Sequence, residues 1–216
     1  MQEILEIFPV GAFQCNCILL GDPSTKEAVV IDPGDEVKRI TEAIGKHGLK
    51  VKAILHTHSH IDHIGGTAEL QRLTQARVLL HREDLFLYEK MEMQRAYLGL
   101  PPGKTTAPVP PDEFLSDGLQ IQAGTFKGLV LHTPGHTPGS CGFHFPALLQ
   151  TGLLIPGDTL FAGSIGRTDL WKGDYHQEIT SIRKKYLTLP DETIVIPGHG
   201  PATTIGREKR HNPFLS

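Results

Sequence analysis

Short apolar runs broken by Gly, Pro and Asp dominate the chain. Residues 3–8 (EILEIF), 16–20 (NCILL) and 27–31 (EAVVI) read as strands separated by the turn signals PVGAF and GDPST, so a β-meander opens the fold. The period then changes. Across 36–48, Val37, Ile40, Ala43 and Ile44 share one helical face, and Gly48 stands where a helix stops. A buried strand at 51–55 (VKAIL) precedes helical spacing of Ile64, Ala68, Leu70 and Leu73 over 64–75. A strand at 76–81 (ARVLLH) and an acid-led helix over 83–98 follow. The stretch LPPGKTTAPVPPDEF is proline-rich and aperiodic, as a surface loop or lid is. The second half has strand-like LQIQAG, KGLVLH, SCGFHF and GLLIPGD, a helix over 175–187, and a strand in TIVIPG. Many strands with interspersed helices predict sheets packed together with helices outside.

Length and composition narrow this picture. The 216 residues suffice for a substantial core, and no internal boundary or repeat stands out, so one domain over 1–216 is expected. A formal charge of −3 gives no electrostatic case for a nucleic-acid partner. The basic runs at 183–185 and 207–210 are short enough to be solvated helix faces. Cys15, Cys17 and Cys141 include no C-x-x-C pair and fit buried thiols in a reducing compartment. The N-terminus carries early acids and no long apolar run, which predicts neither a signal peptide nor a membrane span and hence a cytoplasmic protein.

The densest chemistry is HTHSHIDH at 56–63, where His58, His60, Asp62 and His63 fall between a strand and a helix. Side chains two apart in extended backbone point the same way, so His58, His60 and Asp62 are expected to share a side while His63 turns in as the helix begins. Imidazole with carboxylate suits zinc, iron or manganese, whereas calcium wants oxygens and structural zinc usually wants thiolates. Three further candidates sit just beyond apolar strands, beside Gly or Pro: His136 in HTPGHTPGS, Asp158 in PGDTLF and His199 in PGHGP. His56 and His132 end strands entering the same region and are read as supporting residues; His47, His81, His144, His176 and His211 have no partner spacing. Leu85, Phe86, Tyr88, Met91, Met93 and Tyr97 could line a pocket, but core or an oligomer contact is favoured. The oligomeric state is left open, as is the choice of lid, pocket wall or oligomer contact for 83–113.

From IDPG through HTHSHIDHIGG, TPGHTPGS, GDTLF, GRTD and PGHG to the closing RHNPF, the sequence resembles the metallo-β-lactamase superfamily, and within it the glyoxalase II-like hydrolases. The resemblance implies an α/β fold, the four-layer αββα sandwich, with its site at one sheet edge. It assigns His58, His60 and His136 to a first metal, Asp62, His63 and His199 to a second, and Asp158 to both. Two divalent ions per chain, zinc or iron with manganese as an option, are thus implied. Asp32 matches an acidic residue that orients a ligand or loop. Glyoxalase II proper carries a further helical domain that helps hold glutathione, and this chain ends at Ser216. Gly200-Pro201 also replaces an acidic residue and a tyrosine. Arg167 matches a basic residue placed near the glutathione carboxylate, but Thr168 and Asp169 replace the aromatic pair after it.

The implied chemistry is a water shared by two ions about 3.5–4 Å apart, its pKa lowered towards about 7, with Asp62 and Asp158 positioning it. A thioester such as S-lactoylglutathione fits, because a thiolate leaves with little acid help. The nearest rival is a mononuclear Fe(II) persulfide dioxygenase using His58, His136 and Asp158; against it stand PGHGP and HNPF, which look like the hydrolases. A lactonase shares all seven ligands. A β-lactamase is disfavoured by Asp158 and the lack of an export signal, a ribonuclease Z-like activity by the lack of a basic insertion, and a non-catalytic module by the complete ligand set.

Overall fold

Strand β2 explains the layering of the computed structural model, which describes residues 3–103 and 108–215. All seven residues of Cys15–Gly21 are buried, although successive side chains in a strand point to opposite faces. Both faces must therefore be covered. Cys17 and Leu19 pack outward with Val37, Ile40, Ile61, Leu70 and Met91 from helices, while Ile18 and Leu20 pack inward with Val130, Phe143 and Phe145 of a second sheet. A third cluster, with Leu154, Val195, Ile182, Tyr186 and Ile205, joins that second sheet to the last helices. Three apolar interfaces make four layers, the αββα sandwich expected from the sequence.

The first sheet runs in chain order: β1 (Ile4–Val10), β2, β3 (Glu27–Ile31), β4 (Lys50–Leu55), β5 (Arg77–His81) and β6 (Glu113–Leu115). The first three pair antiparallel, as the predicted meander requires, with Ile18 opposite Ile31; the later pairs are parallel. Parallel neighbours need crossovers, here supplied by α1 (Val37–His47), then α2 (Ile61–Ile64) with α3 (Thr67–Thr74), then α4 (Leu85–Tyr88) with α5 (Met91–Tyr97). The second sheet contains β7 (Gln120–Ala123), β8 (Phe126–His132), β9 (Cys141–Phe145) and β10 (Leu153–Ile155). It is completed by β13 (Ile194–Val195) and β14 (Thr203–Thr204) beyond a small hairpin of β11 (Leu160–Phe161) and β12 (Ser164–Ile165). Helices α6 (Tyr175–Ser181) and α7 (Ile205–His211) cover its outer face. No helix among the described residues is long and apolar enough to cross a membrane.

Several predicted elements differ in extent. The helix expected over 64–75 starts three residues early, so Asp62 as well as His63 lies in a helical turn, and it breaks at Gly65-Gly66. The break has a steric cause: a Cβ on Gly66 would meet Pro33 O at 2.6 Å, and one on Gly65 would meet Gly34 O at 2.5 Å. The helix over 83–98 is split between α4 and α5, and that over 175–187 turns to π geometry across Ile182–Tyr186. The proline-rich stretch falls partly on residues 104–107, outside the described residues; on either side, Leu100 and Val109 pack on the outer cluster. The short strands β6, β11, β12 and β14 carry too few residues to show a period.

Candidate metal centre

Residues following β3, β4, β8, β10 and β13 converge at the sheets' shared end, the usual place for a site in sheets with parallel strands. Beyond β4 the extended segment presents His58 and His60, and the loop after β8 presents His136. His58 Nε2, His60 Nδ1 and His136 Nε2 lie 2.9–3.2 Å from one another. Beside them, His63 Nε2 is 3.3 Å from His199 Nε2, and Asp62 Oδ2 is 3.2 Å from His199 and 3.8 Å from His63. Asp158 stands between the groups: Oδ1 is 3.4 Å from His63, and Oδ2 is 3.5 Å from His199 and 3.7 Å from His136.

The outward nitrogens decide which atoms face inward. Thr57 Oγ1 donates to Asp32 Oδ2 (2.6 Å), so it accepts from His58 Nδ1 (3.1 Å). Asp32 Oδ2 also accepts from His63 Nδ1 (3.0 Å), while Oδ1 accepts from the Thr57 amide (2.8 Å). His136 Nδ1 donates to Arg167 O (2.7 Å), and His199 Nδ1 to Phe13 O (2.9 Å). With those protons fixed outward, four imidazoles turn bare lone pairs inward, where His60 and the carboxylates add more acceptors. Acceptors this close repel unless a cation lies among them, and Asp158 Oδ1 is buried without any hydrogen-bond partner. The donor set fits divalent metal ions. Burial and the neighbouring imidazoles hold His58 below its ordinary pKa, and burial first, then His136, brings His60 down to about 3. Burial also opposes charge on His63, but Cys15 and the carboxylates of Asp158, Asp62 and Asp32 raise its proton affinity, a sign that the acidic surround calls for positive charge.

Some contributing residues carry no sequence signal. Asp84 ties both histidine loops together, accepting from Ser59 N (2.8 Å), Thr137 Oγ1 (2.8 Å) and Gly139 N (2.6 Å); burial pushes its carboxyl up to about 6. Gln94 of α5 accepts from Ile61 N and donates to Ser59 O. Glu178 of α6 accepts from Gly166 N at 3.2 Å, and burial pushes its carboxyl up to about 9. A cavity of about 430 Å³ opens from the donors, walled by Phe13, Leu98, Phe161, Leu170 and Trp171, with Arg167 among its lining residues. The aromatic and apolar residues named on the 83–98 helix contribute otherwise: Tyr88 and Met91 enter the core, and Leu85 packs on it. Phe86 lies under Lys172, Met93 is exposed, and Tyr97 touches Trp171. His56 accompanies Thr67 (3.1 Å), and His132 stacks on His81, with Glu83 nearby. The ligand atoms of His81 and His132 lie within 4.8 Å of one another and of a Glu83 oxygen, but this group is half-buried to exposed and does not line the cavity. The basic runs at 183–185 and 207–210 lie on the outer helical layer, where Lys185 pairs with Asp117, and Lys209 and Arg210 with Asp191.

A four-layer sandwich with His/Asp clusters that could hold metal ions at its sheet edge defines a class of metal-dependent enzyme scaffold. The metallo-beta-lactamase superfamily profile matches residues 10–199, and the chain belongs to that superfamily. It is 43% identical over 215 residues to hydroxyacylglutathione hydrolase GloC of Haemophilus influenzae, covering 98% of each chain. Among solved structures it is similar to the BLEG-1 B3 metallo-beta-lactamase (TM-score 0.89, 38% identity, 99% of this chain and 100% of that one). It is also similar to TTHA1623, solved in a di-iron-bound form (TM-score 0.86, 38% identity, 97% and 100%).

Proposed function

We propose that the chain is a binuclear metal-dependent hydrolase of thioesters such as S-lactoylglutathione. The observation that carries this reading is Asp158, whose two oxygens face a histidine-only group on one side and an Asp/His group on the other. His58, His60 and His136 would hold one cation, Asp62, His63 and His199 the other, and Asp158 both. The likeness to GloC supports the thioester, and that to TTHA1623 supports iron as readily as zinc. Bound there, two divalent cations supply Lewis acidity, lowering a water's pKa and polarising a carbonyl.

The chain's own groups do the remainder. Asp62 and Asp158 accept hydrogen bonds from the attacking water and fix its line to the carbonyl carbon. Asp32 and Thr57 hold His58 and His63 in the tautomers that face inward. Phe13, Phe161 and Trp171 shield the reacting carbon from bulk water. As the water's C–O bond forms, its proton passes towards a carboxylate; the C–S bond then breaks, and the thiolate leaves unprotonated because thiols ionise near 8.5. A persulfide dioxygenase needs only one metal ion, and the inward His199 Nε2 beside Asp62 favours the hydrolase over it.

The test is S-lactoylglutathione hydrolysis by purified protein with elemental analysis, run beside a β-lactam because of the BLEG-1 likeness. Thioester turnover with about two metal equivalents is expected. One firm equivalent with persulfide-dependent oxygen uptake would overturn the reading, as would turnover of the β-lactam alone.

A further inference from the structure

The cavity wall facing the donors has a construction that hydrolysis itself does not require. Trp171 and Lys172 both adopt left-handed backbone, at φ 33° and 74°, where a side chain's Cβ is poorly accommodated. Neighbours hold them there: Gly173 N donates to Leu170 O (2.8 Å), Asp174 N donates to Gly135 O (2.7 Å), and Lys172 Nζ sits 4.3 Å over the Phe86 ring. The result is an indole set edge-on to His60 at 5.4 Å and to Tyr97 at 5.3 Å, at the lip of the cavity. A flat group lying on that indole is within one ring's width of His60, close enough to be borne directly by a carbonyl held at the donors.

The other observation concerns charge. Among the described residues lining the cavity, Arg167 is the one Lys or Arg, and its guanidinium is already engaged. Nε and Nη2 donate in parallel to the two oxygens of Asp169, at 2.7 and 2.8 Å. The pair is exposed, so its own attraction is modest. Its consequence for a ligand is larger, because an incoming carboxylate meets a neutral pair and must approach Asp169 as well as Arg167.

We infer that the cavity selects thioesters by a flat apolar acyl group laid against Trp171, and that Arg167, paired with Asp169, offers no free side-chain cation to a carboxylate on the thiol arm. This rests on the thioester reading above and adds the substrate class to it. Selection then comes from aromatic contact at the acyl side, and Asp169 penalises anionic thiols such as glutathione.

Four thioesters separate the two halves: lactoyl or mandeloyl, each on glutathione or on neutral N-acetylcysteamine. With the metal-loaded parent, mandeloyl is expected to exceed lactoyl in kcat/KM by about tenfold on either thiol. Trp171→Ala should bring that ratio near one, and Trp171→Phe should restore most of it. Asp169→Asn should raise kcat/KM for the glutathione pair relative to the N-acetylcysteamine pair by several-fold, leaving the acyl ratio in place. Trp171 is the chain's single tryptophan, so binding has a readout independent of turnover. Titration with the thioether S-benzyl-N-acetylcysteamine should change its emission saturably, with or without metal. An acyl ratio indifferent to Trp171→Ala, a glutathione penalty indifferent to Asp169→Asn, or unchanged emission overturns the inference while the thioesterase reading stands. Turnover of none of the four overturns both.

Discussion

The two donor groups of the centre are built differently. His58, His60 and His136 are only 2%, 7% and 3% exposed, and their inward nitrogens lie within 3.2 Å of one another. In the group of Asp62, His63 and His199, the nitrogen–oxygen separations reach 3.8 Å, and the side chains of Asp62 and His199 are 18% and 26% exposed. The cause is local. The first group's extended segment is clamped from below by the buried Asp84 and Gln94, whereas the His199 loop, though tied to Asn16, sits at the cavity mouth with its ring held outward by Phe13 O. Tight, dry and pre-oriented donors bind a cation more strongly than loose and wet ones. The first group is therefore expected to be the high-affinity half, and the second the half that opens to substrate and exchanges its ion more readily.

Asp158→Asn attacks what the halves share, so the largest effect is expected there. An amide cannot present two anionic oxygens between the two groups, and hydrolysis should fall on the order of a thousandfold. The β10 core does not involve this side chain, and the circular dichroism spectrum should stay that of the parent. Near-parent turnover with two metal ions bound would remove Asp158 from the shared position. His199→Ala comes next, because it cuts the second group and spares the first. One metal equivalent should remain after dialysis, and thioester turnover should drop about a hundredfold or more. If the protein instead loses both ions together, the halves are coupled and the asymmetry drawn above is wrong.

Thr57→Val sharpens the comparison from the other side. It keeps the shape and removes the hydroxyl that joins His58 Nδ1 to Asp32. Affinity of the first group should weaken by roughly tenfold, measured by chelator competition, with a smaller change at the second. Equal weakening of both groups would show that Asp32, which also holds His63, acts on the centre as a whole.

The same contrast between local and distant construction explains what could be read from the sequence. His58, His60, Asp62 and His63 lie in one segment, and His136, Asp158 and His199 each follow an apolar strand beside glycine or proline, so motif and strand pattern together made them visible. Packed sheets with helices outside were legible from the many strand-like runs with interspersed helices, whereas the four-layer order came from the family resemblance, and the burial of β2 on both faces is its physical basis. Asp84 reaches Thr137 across 53 positions, and Gln94 reaches Ser59 across 35; each looks like an ordinary polar residue near a helix. Trp171 owes its place to a left-handed backbone that no period announces. The break between α2 and α3 was hidden as well, because the contact between the Pro33-Gly34 turn and Gly65-Gly66 exists only once both segments are folded.

Glu178→Gln is expected to touch neither donor group and to change rate least, yet it tests how the first group's outer support is built. Glu178 lies under the loops carrying His136 and Arg167, is fully buried, and binds Gly166 N through one oxygen. Burial pushes its carboxyl from the ordinary 4.5 to about 9, so at neutral pH the folded chain holds a proton there that the unfolded chain releases. The group's stabilising contribution is therefore complete below about 4.5 and is lost steadily as pH rises through about 9, at up to roughly 1.4 kcal/mol per pH unit. Glutamine keeps the acceptor for Gly166 and cannot ionise. The variant should match the parent's urea midpoint to within about 1 kcal/mol at low pH, where the parent carboxyl is neutral. It should become the more stable of the two as pH approaches 9. Parallel stability curves across that range would mean that Glu178 is already ionised in the folded protein, and that the support beneath His136 is a charged contact.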